Sequence, residues 1–376
     1  MIKKKVLLIG SLPPPYHGSN IFFDNLLNSK LKNEFDLLHL DTSDHRNLDN
    51  LTKLDFTNVY LALKNIFQLA RLLRKEKPDI VYITPAVSFL PYFRDGLFLL
   101  TSSYLSKAGI IIHLHGGKYF RDEFYNKSNI FAKSFIRSSL KKVDRAVVLS
   151  DSIRPVFDGL VNKISVIPNG TDFGMNFSET DLKKDTGIIK ISYLGNLFED
   201  KGVLDVMNSV KSIVEKNKNK SINVEFGFAG DWSEKEKKTK SACIQIIKEN
   251  NLDKYVKFYG VLLGKEKEKF LLETEIFVFP SRNEGSPLVI LEAMSAACPV
   301  ISTKGVGAIP DMVLDGVTGI LIESKNVEQI SGAILKLIED RELRSKMGTA
   351  GRERFRNYFT LEKNISGLSD LFKESN

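Results

Sequence analysis

Two stretches of this chain read as the same structural start, made twice. At 5–9 (KVLLI) a short apolar run leads into a turn-rich loop, 10–18, and then into a helical pattern from Asn20. At 190–194 (KISYL) another such run leads into the loop 195–202 (GNLFEDKG) and an amphipathic helix, with Leu204, Met207, Val210 and Val214 at helical spacing. Between and after these starts, strand-like runs at 80–84, 109–114, 145–149, 163–167, 224–229, 256–259, 276–279 and 300–303 alternate with helical segments. Strands that are apolar along their whole length, with helices between them, belong to parallel sheets covered on both faces. The predicted class is α/β, with two doubly wound, Rossmann-like domains in tandem. A length of 376 residues suits two domains, and 43% hydrophobic residues supply two cores and exclude disorder.

The break is predicted near 166–172 (VIPNGTD), where a strand runs into turn residues. This gives a first domain at 1–170 and a second at 171–355. The segment 354–360 (RFRNYFT) is expected to interrupt the helical pattern, leaving 356–376 as a closing helix that packs back on the first domain. Doubly wound sheets bind ligands beyond the carboxyl ends of their strands. With two such domains the predicted site is the cleft between them, built from the loops after Ile9, Leu114, Leu194, Ala229, Tyr259, Phe279 and Thr303.

Charge is divided unevenly. Residues 1–170 hold 24 Lys and Arg against 15 Asp and Glu, whereas 171–376 hold 30 against 31. The excess points to an anionic surface partner for the first half. No nucleic-acid motif accompanies it, so a nucleic-acid partner is not expected. The two cysteines, Cys243 and Cys298, offer neither a disulfide framework nor zinc spacing, which fits a reducing, cytoplasmic setting. The apolar run 6–9 is short for a signal-peptide core, and the most apolar stretch, 80–100, is broken by Pro85, Pro91, Arg94 and Asp95.

The most informative loop is 280–294 (PSRNEGSPLVILEAM). Ser286 is predicted to cap a helix whose first turn holds Pro287 and which runs through Ala297. The amides of Ser286 to Leu288 then form an anion site suited to phosphate. Glu284 stands before this helix and Glu292 inside it. A carboxylate accepts two hydrogen bonds and so grips a vicinal diol. A diphosphate between two diol-binding carboxylates describes a nucleotide sugar. Taken singly, Glu284 reads as a helix-dipole partner and Glu292 as a solvated helix residue. Lys201, just before a helix N-terminus, is a second phosphate candidate. The 10–18 loop matches neither the dinucleotide pattern nor the P-loop, although Gly18 would admit a ligand closely. His113 and His115 alternate along one strand end and would face one side. Without a third ligand they make a poor metal pair, and His115 reads better as a hydrogen-bonding residue of the cleft.

These pieces together resemble glycosyltransferase family 4, the retaining group 1 glycosyltransferases of GT-B fold. The strongest part is Glu284 and Glu292 within PSRNEGSPLVILEAMSAACPVIST, followed by GVGAIPDMVLDGVTGIL. VIPNGTD at 166–172, the GNLFEDKG loop, HLHGG at 113–117 and the PPPYHG loop follow the family's order. The resemblance implies that Glu284 holds the donor sugar's hydroxyls and Glu292 the ribose. Gly285, Ser286, Pro287 and Leu288 would line the diphosphate, and Lys201 would neutralise it as it leaves. His115 would approach the sugar's C6 side, Gly18 would be the first glycine of the N-terminal loop, and Val261 and Leu262 would lie where the base is held. Three positions depart from the pattern. Asn196 stands where members usually carry Arg, with Arg282 as the candidate substitute cation. Gly18-Ser19 replaces a glycine pair. Ser286 replaces a residue that is often large and apolar.

The implied reaction moves a sugar from a nucleotide diphosphate, by family habit UDP, to a hydroxyl, with retention and without metal or other cofactor. The acceptor implied is a saccharide, lipid-linked, in surface polysaccharide or glycolipid synthesis at the cytoplasmic membrane face. Segment 118–142 mixes aromatics with cations. If helical, it sets Lys133, Arg137 and Lys141 in one stripe suited to an anionic membrane, with the patch 89–93 beside it. Two alternatives share the fold: a sugar-nucleotide epimerase, which needs no acceptor, and a non-catalytic scaffold subunit, for which Asn196 is the motivating feature.

Overall fold

The computed structural model describes residues 3–13, 18–43, 56–182, 187–217 and 223–375. The chain forms two compact units, Met1–Pro168 with Glu362–Asn376, and Asn169–Leu361.

Unit 1 runs β1 (Lys5–Gly10), α1 (Gly18–Asn28), α2 (Leu31–Glu34), β2 (Asp36–Asp41), α3 (Phe56–Glu76), β3 (Ile80–Ile83), α4 (Phe89–Leu105), β4 (Gly109–His113), α5 (Ile130–Leu140), β5 (Arg145–Val148) and β6 (Ile164–Val166). Its sheet has the order β2-β1-β3-β4-β5-β6, and every pairing is parallel. All of β3 and β4 is buried. Helices on both faces leave such a strand no polar side, which is why these runs are apolar throughout.

Unit 2 runs β7 (Ile189–Leu194), α6 (Val203–Asn217), β8 (Val224–Ala229), α7 (Lys237–Glu249), β9 (Val256–Gly260), α8 (Gly264–Glu273), β10 (Ile276–Phe279), α9 (Leu288–Ser295), β11 (Val300–Thr303), α10 (Ile309–Met312), β12 (Gly319–Ile322), α11 (Val327–Glu339) and α12 (Arg341–Tyr358). The strand order is β12-β11-β10-β7-β8-β9, again all parallel. The chain winds outward from β7 in one direction and from β10 in the other. The topological switch therefore lies between these two neighbours, and the crevice beyond their carboxyl ends is where such sheets bind ligands.

α13 (Leu361–Glu374) sets Phe372 edge-on to Phe35 and Tyr82 of unit 1, ring centroids 5.6 Å away in each case. Asn364 Nδ2 donates to the Pro168 carbonyl at 2.7 Å, tying this helix to the last residues of the first pass.

Four expectations need correcting. The interruption expected over 354–360 is narrower than that: α12 continues to Tyr358, with Phe355 buried in unit 2 and Arg354 bonding the Asp311 and Met312 carbonyls, and the break falls at Phe359 and Thr360, before the last helix. The chain leaves unit 2 after Leu361 rather than at 355. Segment 118–142 is not one helix. It is a π-helical turn, Phe120–Tyr125, followed by α5; Phe120 and Phe124 are buried against Tyr92, Phe120 also against Phe157, and the buried Tyr125 meets Arg121 and Arg137. Its first aromatics are core. The fourth concerns the start of α9 and is described with the site.

The loops at the carboxyl ends of β7, β8 and β9 are laced by backbone hydrogen bonds, Gly195 N–H to Ala229 O at 3.0 Å and Gly230 N–H to Gly260 O at 2.8 Å. Gly230 has φ 141°, and a Cβ there would stand 1.8 Å from the Gly195 carbonyl oxygen. Gly230→Ala is expected to destabilise unit 2 by about 1–3 kcal/mol in urea unfolding, the scale of a strained backbone position. Gly332→Ala, on the open face of α11 with nothing within 4 Å, is expected to stabilise by roughly 0.5–1 kcal/mol.

Candidate active site

The two loops that flank the switch in unit 2 are joined backbone to backbone. The Arg282 amide, past β10, donates to the Asp200 carbonyl, past β7, at 2.8 Å. Gly202 (φ 79°) permits this approach, because a Cβ there would lie 2.5 Å from the Pro280 carbonyl oxygen. Lys201 closes a short 3₁₀ turn, Glu199–Lys201, and reaches across. Its Nζ donates to Glu284 Oε1 and to the Asn283 carbonyl, both at 2.8 Å. Ser281 Oγ donates to the same Glu284 oxygen at 2.8 Å. The cation and the carboxylate singled out in separate stretches of sequence thus form one partly buried pair.

The third loop of the crevice, after β11, supports the second: the Ala308 amide donates to the Gly285 carbonyl at 2.7 Å. The start of α9 differs from expectation. Pro287, not Ser286, is the capping residue, with ψ 113°, and the helix ends at Ser295 rather than Ala297, where φ is 53°. Proline supplies no amide there, so the Ser286 hydroxyl is not needed as a cap and turns to Met312 Sδ at 3.6 Å. The amides of Leu288 and Val289 begin the helix with no carbonyl ahead of them in it, so the anion-binding character survives one residue later than predicted.

Glu292 lies one turn into α9 and is buried, not a solvated helix residue. Its Oε1 accepts from Lys267 Nζ of α8 at 2.7 Å. Burial raises its carboxyl above the ordinary range, and Lys267 offsets only part of that rise. Lys267 also stands 4.8 Å over the Phe173 ring. Val261 and Leu262 follow β9 and lead into α8, with Val261 exposed. Asn196 is exposed on the loop after β7, and its carbonyl accepts from Tyr193 Oη at 2.8 Å.

Arg282 does not stand ready as a substitute phosphate cation. Its guanidinium bonds Asp205 Oδ2 at 2.7 Å and faces Glu199 Oε1 at 3.5 Å, so its charge is already matched.

His115 and Gly18 belong to unit 1. Gly18 opens α1, while residues 14–17 of the PPPYHG loop lie outside the described residues. The His113 and His115 rings are 4.3 Å apart, and Phe22 of α1 packs on both, at 5.3 and 4.4 Å. The Tyr82 hydroxyl bonds His113 Nδ1. Each Nε2 is buried with no partner. Desolvation pushes His113 well below its ordinary range and His115 down to about 4.

Sequence reasoning missed Lys267, which sits in the charged run KEKEK and reads there as a solvated face, and Ser281 and Asp205, which carry no motif. The acidic partner of Arg282 could have been suspected only from Asp205 standing three residues after Gly202 in the same loop-to-helix passage.

Comparison with known proteins bears on the family and the fold. The model for "Glycosyl transferases group 1" matches residues 176–354, and that for "Glycosyltransferase Family 4" matches residues 41–174. An uncharacterized glycosyltransferase of Methanocaldococcus jannaschii is 26% identical over 100% of this chain and 99% of its own. The capsular polysaccharide biosynthesis glycosyltransferase CapM of Staphylococcus aureus is 27% identical over 80% of this chain and 78% of its own. The UDP-Gal:alpha-D-GlcNAc-diphosphoundecaprenol alpha-1,3-galactosyltransferase of Escherichia coli is 26% identical over 82% and 79%. Among solved structures, sucrose-phosphate synthase from Thermosynechococcus elongatus has a TM-score of 0.76 at 15% identity, covering 99% of both chains. Anabaena HepE, solved with UDP and glucose, has a TM-score of 0.69 at 14% identity, covering 99% of this chain and 100% of that one. These place the fold in the GT-B class.

The histidine pair gives a pH prediction. His115 is neutral in the folded chain down to about 4, whereas an ordinary imidazole takes up its proton near 6.5. Between those values the unfolded chain binds more protons, so stability falls as pH drops from about 6.5 towards 4. Urea unfolding followed in unit 1 at several pH values is expected to show that decline, and His115→Gln is expected to lessen it while the depressed His113 keeps part of it.

Proposed function

Because this chain belongs to the group 1 glycosyltransferases of family 4, we propose that it transfers a sugar from a nucleotide-diphosphate sugar, UDP-linked, to a hydroxyl of a lipid-linked saccharide, with retention at the anomeric carbon. The observation that carries this reading is the Lys201–Glu284 pair, held between the two loops of the topological switch and beside the first amides of α9. In this reading the donor's diphosphate takes Lys201 from Glu284. The released carboxylate then turns to the sugar's hydroxyls, and Glu292 accepts from the ribose diol. The Leu288 and Val289 amides face the diphosphate.

The chemistry follows from that placement. The bond between the anomeric carbon and the β-phosphate oxygen breaks, its electron pair staying with the phosphate. A bond forms from the acceptor oxygen to the same face of that carbon, and the acceptor's proton passes to the departing phosphate oxygen. Charge grows on the diphosphate as the bond lengthens, so a lysine and helix amides aimed there stabilise the transition state more than the ground state. Lys201 and the amides are proposed to suffice for this without a metal ion.

The donor assignment draws support from the galactosyltransferase relative, whose name specifies UDP-Gal, and from the structural neighbour solved with UDP. The acceptor assignment draws support from the same relative, whose acceptor is a diphosphoundecaprenol-linked sugar. For unit 1 we propose an acceptor role at a membrane surface. No helix among the described residues is long and apolar enough to cross a membrane. Unit 1 nonetheless exposes Phe131 (83%) at the start of α5, Phe89 and Phe93 of α4, and a stripe on α3 from Phe56 (97%) through Tyr60 and Leu63 to Phe67 (73%). Lys64, Arg71, Arg74 and Lys75 share α3, and Arg137 ends α5. Apolar side chains with cations alongside suit an anionic leaflet.

Lys201→Ala is expected to lower turnover by roughly 10²–10³, the scale for losing a principal transition-state donor; a loss of tenfold or less removes Lys201 from this role. Glu284→Ala is expected to abolish transfer while nucleotide affinity, read by calorimetry with UDP and GDP, stays within about threefold, less than the ~1.4 kcal/mol of a tenfold change. On liposomes, the chain is expected to sediment with anionic and not with neutral vesicles at low salt. Equal recovery in the supernatant in both cases removes the membrane assignment.

A further inference from the structure

Glu292 and its lysine pose a physical problem that the nucleotide reading alone leaves open. A carboxylate buried in α9 is costly to keep charged, yet a ribose diol needs it charged. Ionised, it offers only acceptors to the two hydroxyls; protonated, it keeps one O–H that competes with them. The structure answers with one contact. Lys267, one turn into α8, places its Nζ 2.7 Å from Glu292 Oε1, leaving Oε2 for another donor. The ammonium is itself held from the other side by the Phe173 ring, 4.8 Å away. Cations on the neighbouring helix are engaged elsewhere. Arg352 of α12 donates to the Ser295 and Phe177 carbonyls, and Arg344 pairs with Glu275. Of the charged groups, only Lys267 is found acting on the Glu292 carboxyl, among the described residues.

We infer that Lys267 is a positioning residue for the nucleotide: it keeps Glu292 charged and turned so that its second oxygen accepts the ribose hydroxyls. This rests on the reading of Glu292 as the ribose ligand and extends it to a residue in a different helix. Lys267 also enters α8 directly from Val261 and Leu262, so the segment assigned to the base and the ion pair assigned to the ribose are one continuous piece of chain. Burial already raises the Glu292 carboxyl. With Lys267 removed that rise has no counterweight, so the buried carboxyl holds its proton to a higher pH.

The test uses the full chain, with whichever of UDP and GDP binds the wild type more tightly, and isothermal calorimetry from pH 6.5 to pH 9. Affinity of each variant is taken as a ratio to wild type at the same pH, so that ionisation of the nucleotide cancels. Lys267→Met keeps the aliphatic stem and removes the charge. Its dissociation constant is expected to be at least about tenfold weaker at pH 6.5 and to return to within about threefold by pH 9, as the unpartnered carboxyl ionises. Lys267→Arg is expected to restore a ratio near one throughout. A lysine that served only to hold the fold would give a ratio independent of pH. Glu292→Gln separates the two levels of the argument. If Glu292→Gln binds as tightly as wild type, or if wild type binds neither nucleotide, the ribose reading itself is overturned. If Glu292→Gln binds weakly and the Lys267→Met ratio stays flat with pH, the ribose reading stands and the role of Lys267 is overturned.

Discussion

One backbone hydrogen bond, from the Arg282 amide to the Asp200 carbonyl, fixes the geometry on which the donor site depends. The loops it joins come from β7 and β10, which are neighbours in the sheet and far apart in sequence. Parallel strands that wind away from each other leave a crevice at their carboxyl ends, and nothing in the sheet itself closes it. The Arg282–Asp200 bond sets the distance between the two loops, with Gly202 allowing the backbones to meet. Lys201 on one loop can reach Glu284 on the other only because the loops are held at that separation.

Three ion pairs follow from that convergence: Lys201 with Glu284, Lys267 with Glu292, and Arg282 with Asp205. In each the carboxylate is largely withdrawn from water. Such pairs are costly to assemble and more costly to break singly, because the abandoned partner is left charged in a poor dielectric. A ligand that brings its own anion and its own hydroxyls offers both members a replacement. In the proposed reading, the first two pairs hold the site's charges in balance until the donor's diphosphate and diols replace them. The third pair joins Arg282 of the loop after β10 to Asp205 of α6.

Much of this was legible in the sequence. Apolar runs without a polar side announced parallel sheets, and the repeat of run, loop and helix announced two of them. Glu284 and Lys201, singled out from loop chemistry in separate stretches of sequence, meet as an ion pair, and the helix expected near Leu288 begins there. What escaped was set by tertiary partners. The edge strands β2 and β12, neither uniformly buried, were not picked out. Phe120 and Phe124 look like membrane anchors in sequence because exposed and buried aromatics spell the same word; Tyr92 and Phe157, packed against them, decide between the two. The exposed stripe of α3 escaped for the converse reason, since a helix with that spacing ordinarily turns its apolar face inward. Lys267 lies in a run of alternating charges, and no local pattern separates the one lysine that meets a buried glutamate from its solvated neighbours.

The closing helix has a consequence for how the chain is made. Phe372 completes the packing around Tyr82 and Phe35, residues synthesised some three hundred positions earlier. Domains on a ribosome usually mature in the order in which they emerge. Here that order is reversed: every strand of unit 2 is outside the ribosome before the last piece of unit 1 exists. The first half of the protein must wait, with one side of its interior uncovered, until α13 has emerged.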